Sequence, residues 1–171
     1  MTTNRKFVAL QKGVRPPRLN KIPNGGLCLS TFIILSKPNN PRMVPMGHIN
    51  ENAQWDHIGA LDKERIKRHS KRWMLPSSHL LLGEDPRSAA TRILKEQLGL
   101  RKQRVEGPQV FSEVYGPLKH WDLEFVYLGA RRTLPRSNAW RELRFVDLKH
   151  TKTEEIARFH EDILRHVGLW R

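Results

Sequence analysis

The most informative stretch of the sequence is residues 73–100, which read WMLPSSHLLLGEDPRSAATRILKEQLGL. Its second half predicts an amphipathic helix with both ends marked. Asp85 can cap the N-terminus, Pro86 suits the first helical position, and Gly99 is a natural C-terminal stop. Between these residues, apolar side chains recur at the three- and four-residue spacing of one helix face. They are Ala90, Ile93, Leu94 and Leu98.

The flanking sequence predicts strands before and after this helix. Leu27–Leu35 is rich in Ile, Leu and Phe and is bounded by glycines and Pro38, which is typical of a buried strand. Val110–Tyr115 and His120–Leu128 are also strand-like, and the second alternates aromatic and aliphatic residues with acidic ones. Because strands lie on both sides of a central helix, the fold class is α/β or α+β.

Other segments carry weaker signals. Residues 37–46 contain three prolines and an Asn–Asn pair, which predict a loop. Apolar residues recur at roughly helical spacing over 54–73 and over 151–166, so both segments are expected to be helical. Leu143–Val146 is expected to be a short strand. The aromatic residues of the later strand are most simply core residues: Trp121, Phe125 and Tyr127.

The composition indicates one basic domain. The chain has 171 residues, and its 31 Lys and Arg against 17 Asp and Glu give a formal net charge of +14. A single cysteine, Cys28, excludes an internal disulfide and a cysteine-based zinc site. The longest apolar stretch, about nine residues, is too short to span a bilayer. We therefore expect no association with a membrane.

The positive charge is concentrated toward the N-terminus, where residues 1–50 hold eight basic residues and no acidic one. We expect residues 1–25 to form an extended basic arm, because Pro16, Pro17 and Pro23 prevent a continuous amphipathic helix. An acid-free, arginine-containing start also resembles an organellar transit peptide. The expected location is therefore cytoplasmic, with organellar import as the alternative.

Residues 73–100 resemble the Nudix box, whose pattern is G-x5-E-x7-R-E-U-x-E-E-x-G-U, where U is a bulky aliphatic residue. The lead-in Trp73–Pro76 is similar to the sequence before many Nudix boxes. Three positions differ, because Ser78 replaces the glycine, Ile93 the first helical glutamate and Gln97 the last. Six positions match: Glu84, Arg92, Leu94, Glu96, Gly99 and Leu100.

The resemblance implies a Nudix-like α/β/α sandwich with a central mixed sheet over residues 26–171, including a basic helical insertion at about 50–72. In Nudix hydrolases, box carboxylates hold Mg²⁺ or Mn²⁺ against a substrate pyrophosphate. Positions 93, 96 and 97 share one helix face, and only Glu96 is acidic there. The resemblance therefore implies Glu96 and Arg92 as catalytic residues, and Glu84 and Glu96 as ligands of a weakened metal site.

A further carboxylate from a later strand or loop often completes a Nudix site. Each acidic residue in the later strands also has a plainer interpretation as a solvated strand residue. The candidates are Glu113, Asp122, Glu124 and Glu142.

A basic segment, residues 63–72, lies immediately before the box and holds six basic residues against one acid. A basic helix beside a phosphate-binding cleft would attract nucleotides or RNA. The plainer interpretation is a solvated helix face. The candidate phosphate or nucleic-acid contacts are Lys63, Arg65, Lys67, Arg68, Lys71 and Arg72.

Three functions remain open from the sequence. The first is a Nudix-fold protein that binds a nucleotide or RNA phosphate group with impaired or absent pyrophosphatase activity. The second is an active hydrolase that cleaves a nucleoside diphosphate linked to another moiety, using Mg²⁺ or Mn²⁺. The third is a non-catalytic structural component of a ribonucleoprotein assembly. The partners expected are a nucleotide or RNA, with a homodimer or such an assembly as further alternatives.

Overall fold

The computed structural model describes residues 26–117, 119–157 and 159–170. No helix among them is long and apolar enough to cross a membrane. The basic arm expected for residues 1–25 lies outside this described part of the chain. In chain order, the described residues form β1 (Leu27–Ser36), β2 (Met43–Ile49), α1 (Trp55–Ile58), α2 (Lys63–His69), β3 (Ser77–His79), α3 (Pro86–Leu98), β4 (Glu106–Tyr115), β5 (His120–Ala130), β6 (Trp140–Asp147), a 3₁₀ turn (Thr153–Glu155) and α4 (His160–His166).

The strands form two sheets. Four of them lie in the order β3-β1-β5-β4. Strand β1 runs parallel to β5, and the other neighbours are antiparallel, so this central sheet is mixed, as the sequence predicted. Strands β2 and β6 pair antiparallel in a second, two-stranded sheet.

Helices cover both faces of the central sheet. Side chains alternate between the two faces along a strand, so neighbouring residues of β1 belong to different cores. Ile33 and Leu35 pack with the apolar residues of α3. Phe32 shares a core on the other face with Ile163 and Leu164 of α4. The sheet is therefore the middle layer of an α/β/α sandwich.

Helix α3 begins and ends where the sequence predicts. The carboxylate of Asp85 accepts hydrogen bonds from the backbone N–H groups of Arg87 at 2.9 Å and Ser88 at 3.0 Å. At the other end, Gly99 adopts a φ of 66°, in the left-handed region that favours glycine. The apolar face between these caps is buried against β1.

The loop predicted for residues 37–46 is shorter than expected. Strand β2 begins at Met43 and includes Pro45, which lies opposite Phe145 of β6. The prediction is wrong for residues 43–46 because proline, usually a loop signal, is tolerated in an edge strand, where its missing N–H need not be paired.

The helix predicted for residues 151–166 is also shorter than expected. The chain makes a 3₁₀ turn, passes through an extended stretch and becomes helical only at His160. Trp73 explains the difference, because its N–H donates to the carbonyl of Glu155 and its carbonyl accepts from Ala157. Glu155 and Ala157 thus use these backbone groups in pairing with Trp73, the first residue of the lead-in to the box.

The helical spacing over 54–73 corresponds to two short helices. Helix α1 ends at Ile58, with Gly59 as its C-cap, and Ala60 has a φ of 57°, which breaks the helical path. Asp62 then caps α2 by accepting a 2.8 Å hydrogen bond from the N–H of Arg65. The segment between β2 and β3 is therefore helical, as predicted, but not continuous.

Trp55 attaches helix α1 to the core. Its side chain is completely buried, and its ring meets that of Trp140 edge-on at a centroid distance of 4.9 Å. Its Nε1 donates a 2.9 Å hydrogen bond to the carbonyl of Ala139. By contrast, Trp121 is 37% exposed, so its assignment to the core was wrong; Tyr127 is buried as predicted.

The two tryptophans provide a test of how firmly this helical segment belongs to the domain. Trp55→Ala should lower the free energy of unfolding by about 3–5 kcal/mol, because it removes a large buried ring and a buried hydrogen bond. Trp121→Ala is the matched control and should cost clearly less. Chemical denaturation followed by circular dichroism measures both. Equal losses would contradict the packing described for α1.

Candidate functional site

A pocket of about 320 Å³ opens on the face of the central sheet opposite α3. Strands β1, β3 and β5 supply its floor, and α2 and the start of α4 supply its walls. The floor is polar, whereas Phe32 and Phe159 add apolar surface. The pocket is therefore a concave site of mixed character, of the kind that binds small molecules.

Three floor residues form a hydrogen-bonded row. The hydroxyl of Ser30 donates to Oδ1 of Asp122 at 2.8 Å, and its Oγ lies 3.2 Å from Nδ1 of His79. Strand register places these side chains on one face, because Ser30 pairs with His79 on one side and with Glu124 on the other, and Asp122 lies two residues before Glu124 and so is the diagonal neighbour of Ser30. Side chains of directly paired residues point to the same face of a sheet.

Two carboxyl groups of β5 lie in this floor with different pKa values. Burial raises the pKa of Asp122 to about 6, although the hydroxyl of Ser30 and the charge of Arg65 act in the opposite direction. Burial, followed by the negative charge of Asp122, raises the pKa of Glu124 to about 8. At pH 7, Asp122 is therefore mainly a charged acceptor, whereas Glu124 is mainly protonated and able to donate.

The surroundings of Glu124 match a protonated carboxyl. Oε1 accepts a 3.0 Å hydrogen bond from the hydroxyl of Tyr115. Oε2 is buried and has no hydrogen-bond partner among the described residues, and the nearest cationic candidate, Nδ1 of His166, is 3.7 Å away. A charge on Oε2 would therefore be poorly compensated.

Two histidines contribute neutral rings to the pocket. Burial lowers the pKa of His79 to about 4 and that of His160 to about 3. Nδ1 of His160 accepts a 3.0 Å hydrogen bond from the N–H of Leu75, so the proton of the neutral ring is on Nε2. At pH 7 these two rings are therefore imidazole rather than imidazolium.

The basic segment divides into two sides. Arg65, Arg68 and His69 stand at i, i+3 and i+4 on α2 and line the pocket. The other basic residues predicted to contact phosphate do not line it: Lys63, Lys67, Lys71 and Arg72. The structure thus places two of the six predicted contacts beside the floor carboxyls.

Arg92 and Glu84 form a two-pronged ion pair. Nε of Arg92 donates to Oε1 of Glu84 at 2.8 Å, and Nη2 donates to Oε2 at 2.7 Å. Oε2 also accepts from the N–H of Leu81 at 2.9 Å. Arg92 further donates to the hydroxyl of Ser78 and the carbonyl of His79. The pair therefore connects α3 to β3 and to the loop between them.

Gln97 is fully buried, and both ends of its amide are hydrogen-bonded. Oε1 accepts from the N–H of Ser77 at 3.0 Å. Nε2 donates to the carbonyl of Ser77 at 2.7 Å and to that of Ile58 at 3.0 Å. Ile93, one turn earlier, is buried in the core beneath α3. Two of the three positions on the expected metal-binding face are thus interior packing residues.

These residues do not fit a divalent cation. Mg²⁺ and Mn²⁺ need several oxygen ligands and negative charge. The oxygens of Glu84 are engaged by Arg92 and Leu81, and the carbonyl of Gln97 by Ser77. Half-buried Glu96 is the remaining box carboxylate. Within residues 26–117, 119–157 and 159–170, no group of three His, Cys, Asp or Glu side chains is placed to hold a metal ion.

The four later carboxylates separate into two pairs. Asp122 and Glu124 line the pocket. Glu113 instead lies 3.0 Å from Nε2 of His166, and Glu142 lies 3.0 Å from Nε of Arg144 on the second sheet. The box residues Glu84, Arg92 and Glu96 do not line the pocket either.

Ser30, His79 and His160 were not predicted as site residues. Isolated polar residues in apolar strands carry no motif, and His160 lies at a helix start whose position the sequence misjudged. A signal did exist for the carboxyls, since the alternation in β5 places Asp122 and Glu124 on one face. The spacing of Arg65, Arg68 and His69 would similarly have identified the pocket side of α2.

The raised pKa of Glu124 predicts a stability change above about pH 7.5. The folded state holds this proton up to about pH 8, whereas the unfolded state releases it near 4.5, so the folded state binds more protons at this group over the interval. The free energy of unfolding should therefore fall as the pH rises from about 7.5 to about 8.5. The buried histidines act in the opposite direction near pH 6.5, where the unfolded rings are half protonated, but above about pH 7.5 they are almost entirely neutral in both states.

Urea denaturation at several pH values measures this slope. Glu124→Gln should remove it, because glutamine keeps the hydrogen bond from Tyr115 and does not titrate. Glu113→Gln, at a more exposed carboxylate on the neighbouring strand, is the control and should leave the slope in place. A slope that survives Glu124→Gln would show that another group is responsible.

Comparison with known proteins gives matches at the level of structure alone. No protein-family model matches the sequence, and no curated protein matches it. A MutT protein from Methanosarcina mazei Go1 is similar with a TM-score of 0.58 at 12% identity, over 86% of this chain and 95% of that one. The NUDIX domain of Shewanella oneidensis NrtR, complexed with ADP ribose, has a TM-score of 0.58 at 12% identity, over 90% and 92%.

In a third comparison, this chain matches part of a longer protein of known structure. It is a bifunctional NMN adenylyltransferase/ADP ribose pyrophosphatase from Francisella tularensis, complexed with AMP and an Mn ion. The TM-score is 0.50 at 10% identity, over 82% of this chain and 41% of that one. At such identities the likeness concerns the fold. The prediction of a Nudix-like α/β/α sandwich is confirmed, and the chain has the Nudix fold.

Proposed function

We propose that this protein uses the Nudix fold to bind a nucleotide or the phosphate group of an RNA, with little or no metal-dependent pyrophosphatase activity. The observation that carries the proposal is the hydrogen bonding of Gln97. Its amide fills the position of a box carboxylate and closes that helix face against β3 and α1. Binding chemistry, by contrast, is concentrated in the pocket on the other face of the sheet.

The pocket suits a ligand that is anionic at one end and rich in hydrogen-bonding groups at the other. Arg65 and Arg68 offer guanidinium groups, which bind phosphate oxygens with paired hydrogen bonds. Deeper in the pocket, Asp122 accepts and protonated Glu124 donates, a combination that matches the edge of a base or the hydroxyls of a sugar. The ADP ribose held by the NrtR domain is a ligand of this chemical type on the same fold.

The box residues are poorly suited to bind a metal ion and therefore to catalyse pyrophosphate hydrolysis. Pyrophosphate cleavage by metal ions requires them to neutralise the phosphates and activate a water. Arginines can supply the first of these, but they cannot generate a hydroxide at neutral pH. The box pattern has glutamates at positions 93 and 97, whereas this chain has Ile93 and Gln97, which are uncharged. The site therefore lacks two of the negative charges that would hold a divalent ion.

Nucleotide binding should depend on the pocket side of α2 only. Arg65→Gln and Arg68→Gln should each weaken binding roughly tenfold and reduce the dependence on salt, because each removes a phosphate contact. Lys63→Gln and Lys67→Gln remove the same charge from the other side of the helix and should have little effect. Calorimetric titration with ADP ribose, AMP and a short 5′-phosphorylated RNA at two salt concentrations measures these changes.

Two outcomes would contradict the binding proposal. Equal losses in all four variants would mean that the protein responds to net charge and not to the pocket. Absence of binding to every ligand would favour the structural component of a ribonucleoprotein assembly, since a scaffold needs no free nucleotide.

Hydrolysis is tested in the same preparation. We expect no phosphate release from nucleoside diphosphate derivatives or capped RNA with Mg²⁺ or Mn²⁺, and no difference between the wild type and Glu96→Gln. Metal-dependent turnover that disappears in Glu96→Gln would establish the alternative, an active hydrolase. Asp122→Asn would then show whether a pocket carboxyl completes the catalytic site.

A further inference from the structure

Two unpaired polar atoms face each other beside the pocket, between strand β5 and helix α4. Oε2 of Glu124 and Nδ1 of His166 are both buried, and neither has a hydrogen-bond partner among the described residues. The two atoms lie 3.7 Å apart. Buried polar atoms are nearly always hydrogen-bonded in folded proteins, and the exceptions concentrate where a group has a functional role. This pair is therefore a candidate for proton exchange between the two side chains.

The hydrogen bonds on the far side of each group determine where the protons are. Oε1 of Glu124 accepts from the hydroxyl of Tyr115 at 3.0 Å, so the proton of the neutral carboxyl group is on Oε2. Nε2 of His166 lies 3.0 Å from Oε1 of Glu113, and a carboxylate only accepts, so Nε2 carries a proton. In the neutral ring, Nδ1 is then an acceptor. Glu124 therefore presents its proton to the lone pair of His166.

A small movement closes the gap between the two atoms. A hydrogen bond from a carboxyl O–H to a ring nitrogen is about 2.7–2.9 Å long, so the atoms must approach by about 1 Å. The ring of Phe111 stacks on that of His166 at a centroid distance of 4.6 Å, with 27° between the planes. Stacking of this kind opposes tilting of the imidazole but leaves it able to slide in its own plane, which is the direction required.

The three side chains lead from the pocket floor to the solvent. The side chain of Glu124 is 1% exposed, that of His166 is 23% exposed, and that of Glu113 is 41% exposed. Glu124 lines the pocket, whereas His166 and Glu113 do not. Glu113 lies on β4, which is an edge strand of the central sheet. The series therefore connects the floor to the edge of the sheet without crossing the pocket.

We propose that Glu124, His166 and Glu113 form a proton relay between the pocket floor and the solvent. The proton on Oε2 of Glu124 passes to Nδ1 of His166, which leaves Glu124 as a carboxylate and His166 as an imidazolium paired with the carboxylate of Glu113. The imidazolium then releases one proton through Glu113 to water. Uptake of a proton by Glu124 follows the same route in reverse.

The relay allows Glu124 to change its protonation while a ligand fills the pocket. A ligand seated between the floor and the guanidinium groups of Arg65 and Arg68 separates Glu124 from the water in the pocket. Glu124 then still changes between hydrogen-bond donor and acceptor, next to Asp122 as a constant acceptor. The floor can thus bind a carbonyl oxygen, an amino group or a hydroxyl group at the same point. This consequence rests on the proposed function, whereas the relay itself does not.

Nitrogen-15 NMR of the full chain, labelled at histidine, tests the relay without any ligand. The Nδ1 signal of His166 should show a titration step near pH 8, where Glu124 releases its proton, because that proton lies between the two groups. Glu124→Gln should abolish the step, since glutamine keeps the hydrogen bond from Tyr115 and has no titrating proton. The signal of His160, which is neutral over this range, reports whether each variant is folded.

Asp162→Asn is the matched control. Asp162 is one of the acidic neighbours that raise the pKa of Glu124, but its carboxylate pairs with Arg165 at 2.7 Å. This variant should keep the step and shift it to a slightly lower pH. The other titratable groups near Glu124 are Asp122 on β5 and both Tyr115 and Glu113 on β4.

A step that is absent from the wild type, or that persists in Glu124→Gln, would mean that the two groups share no proton. Passage through the ring is measured separately, by infrared spectroscopy after transfer to D₂O. The carbonyl band of protonated Glu124, identified by its loss in Glu124→Gln, shifts when deuterium replaces the proton. This exchange should be about tenfold slower in His166→Phe, because it then needs local opening of the structure. Equal rates would show that the proton leaves through the pocket and would overturn the relay.

Discussion

The side-chain amide of Gln97 joins three parts of the molecule that are distant in sequence. It bonds to both backbone groups of Ser77 in β3 and to the carbonyl of Ile58 in α1, and it does so without contact with solvent. A buried amide must satisfy all of its hydrogen bonds, so the positions of β3 and α1 are fixed relative to α3. The backbone carbonyl of Gln97 adds a fourth bond, since it accepts from Nε1 of Trp140 at 2.7 Å.

This arrangement explains how a box with missing carboxylates can be stable. Glutamate at position 97 would place a negative charge against the two carbonyl groups that Nε2 now contacts. Glutamate at position 93 would be buried among aliphatic side chains. Both changes would carry a large desolvation cost unless a cation were bound. Glutamine and isoleucine avoid that cost, and the helix face on which the resemblance implies metal ligands is instead an interface on which α1 packs.

The sequence was sufficient for the parts of the fold that depend on local signals. The caps Asp85 and Gly99 define α3, and alternation in β5 gives its two faces, because both signals concern neighbours along the chain. Local signals gave wrong predictions where the backbone pairs with residues that are distant in sequence. Trp73 hydrogen-bonds to the backbone of Glu155 and Ala157, which are therefore not helical. Residues 43–46 pair with β6 and therefore form a strand.

The residues of the candidate site also fall into those that local signals identify and those that only the three-dimensional structure brings together. The box spacing identified Glu84, Arg92 and Glu96, but no local signal shows that the pocket lies elsewhere, on the opposite face of the sheet. Asp122 and Glu124 were recognised only as two of four candidates, because choosing among them needs strand register. Ser30 and His79 become neighbours of Asp122 only when β1 is placed between β3 and β5.

The net charge of the pocket depends on where these side chains lie. The two floor carboxyls share a buried region, and burial keeps Glu124 largely protonated, so the pocket carries less negative charge than its residues suggest. Neutral His79 and His160 add none. The guanidinium groups of Arg65 and Arg68 therefore dominate the field in the pocket, which is net positive without any metal ion. A positive field of this kind is what the proposed binding of an anionic phosphate group requires, and in this pocket it comes from side chains alone.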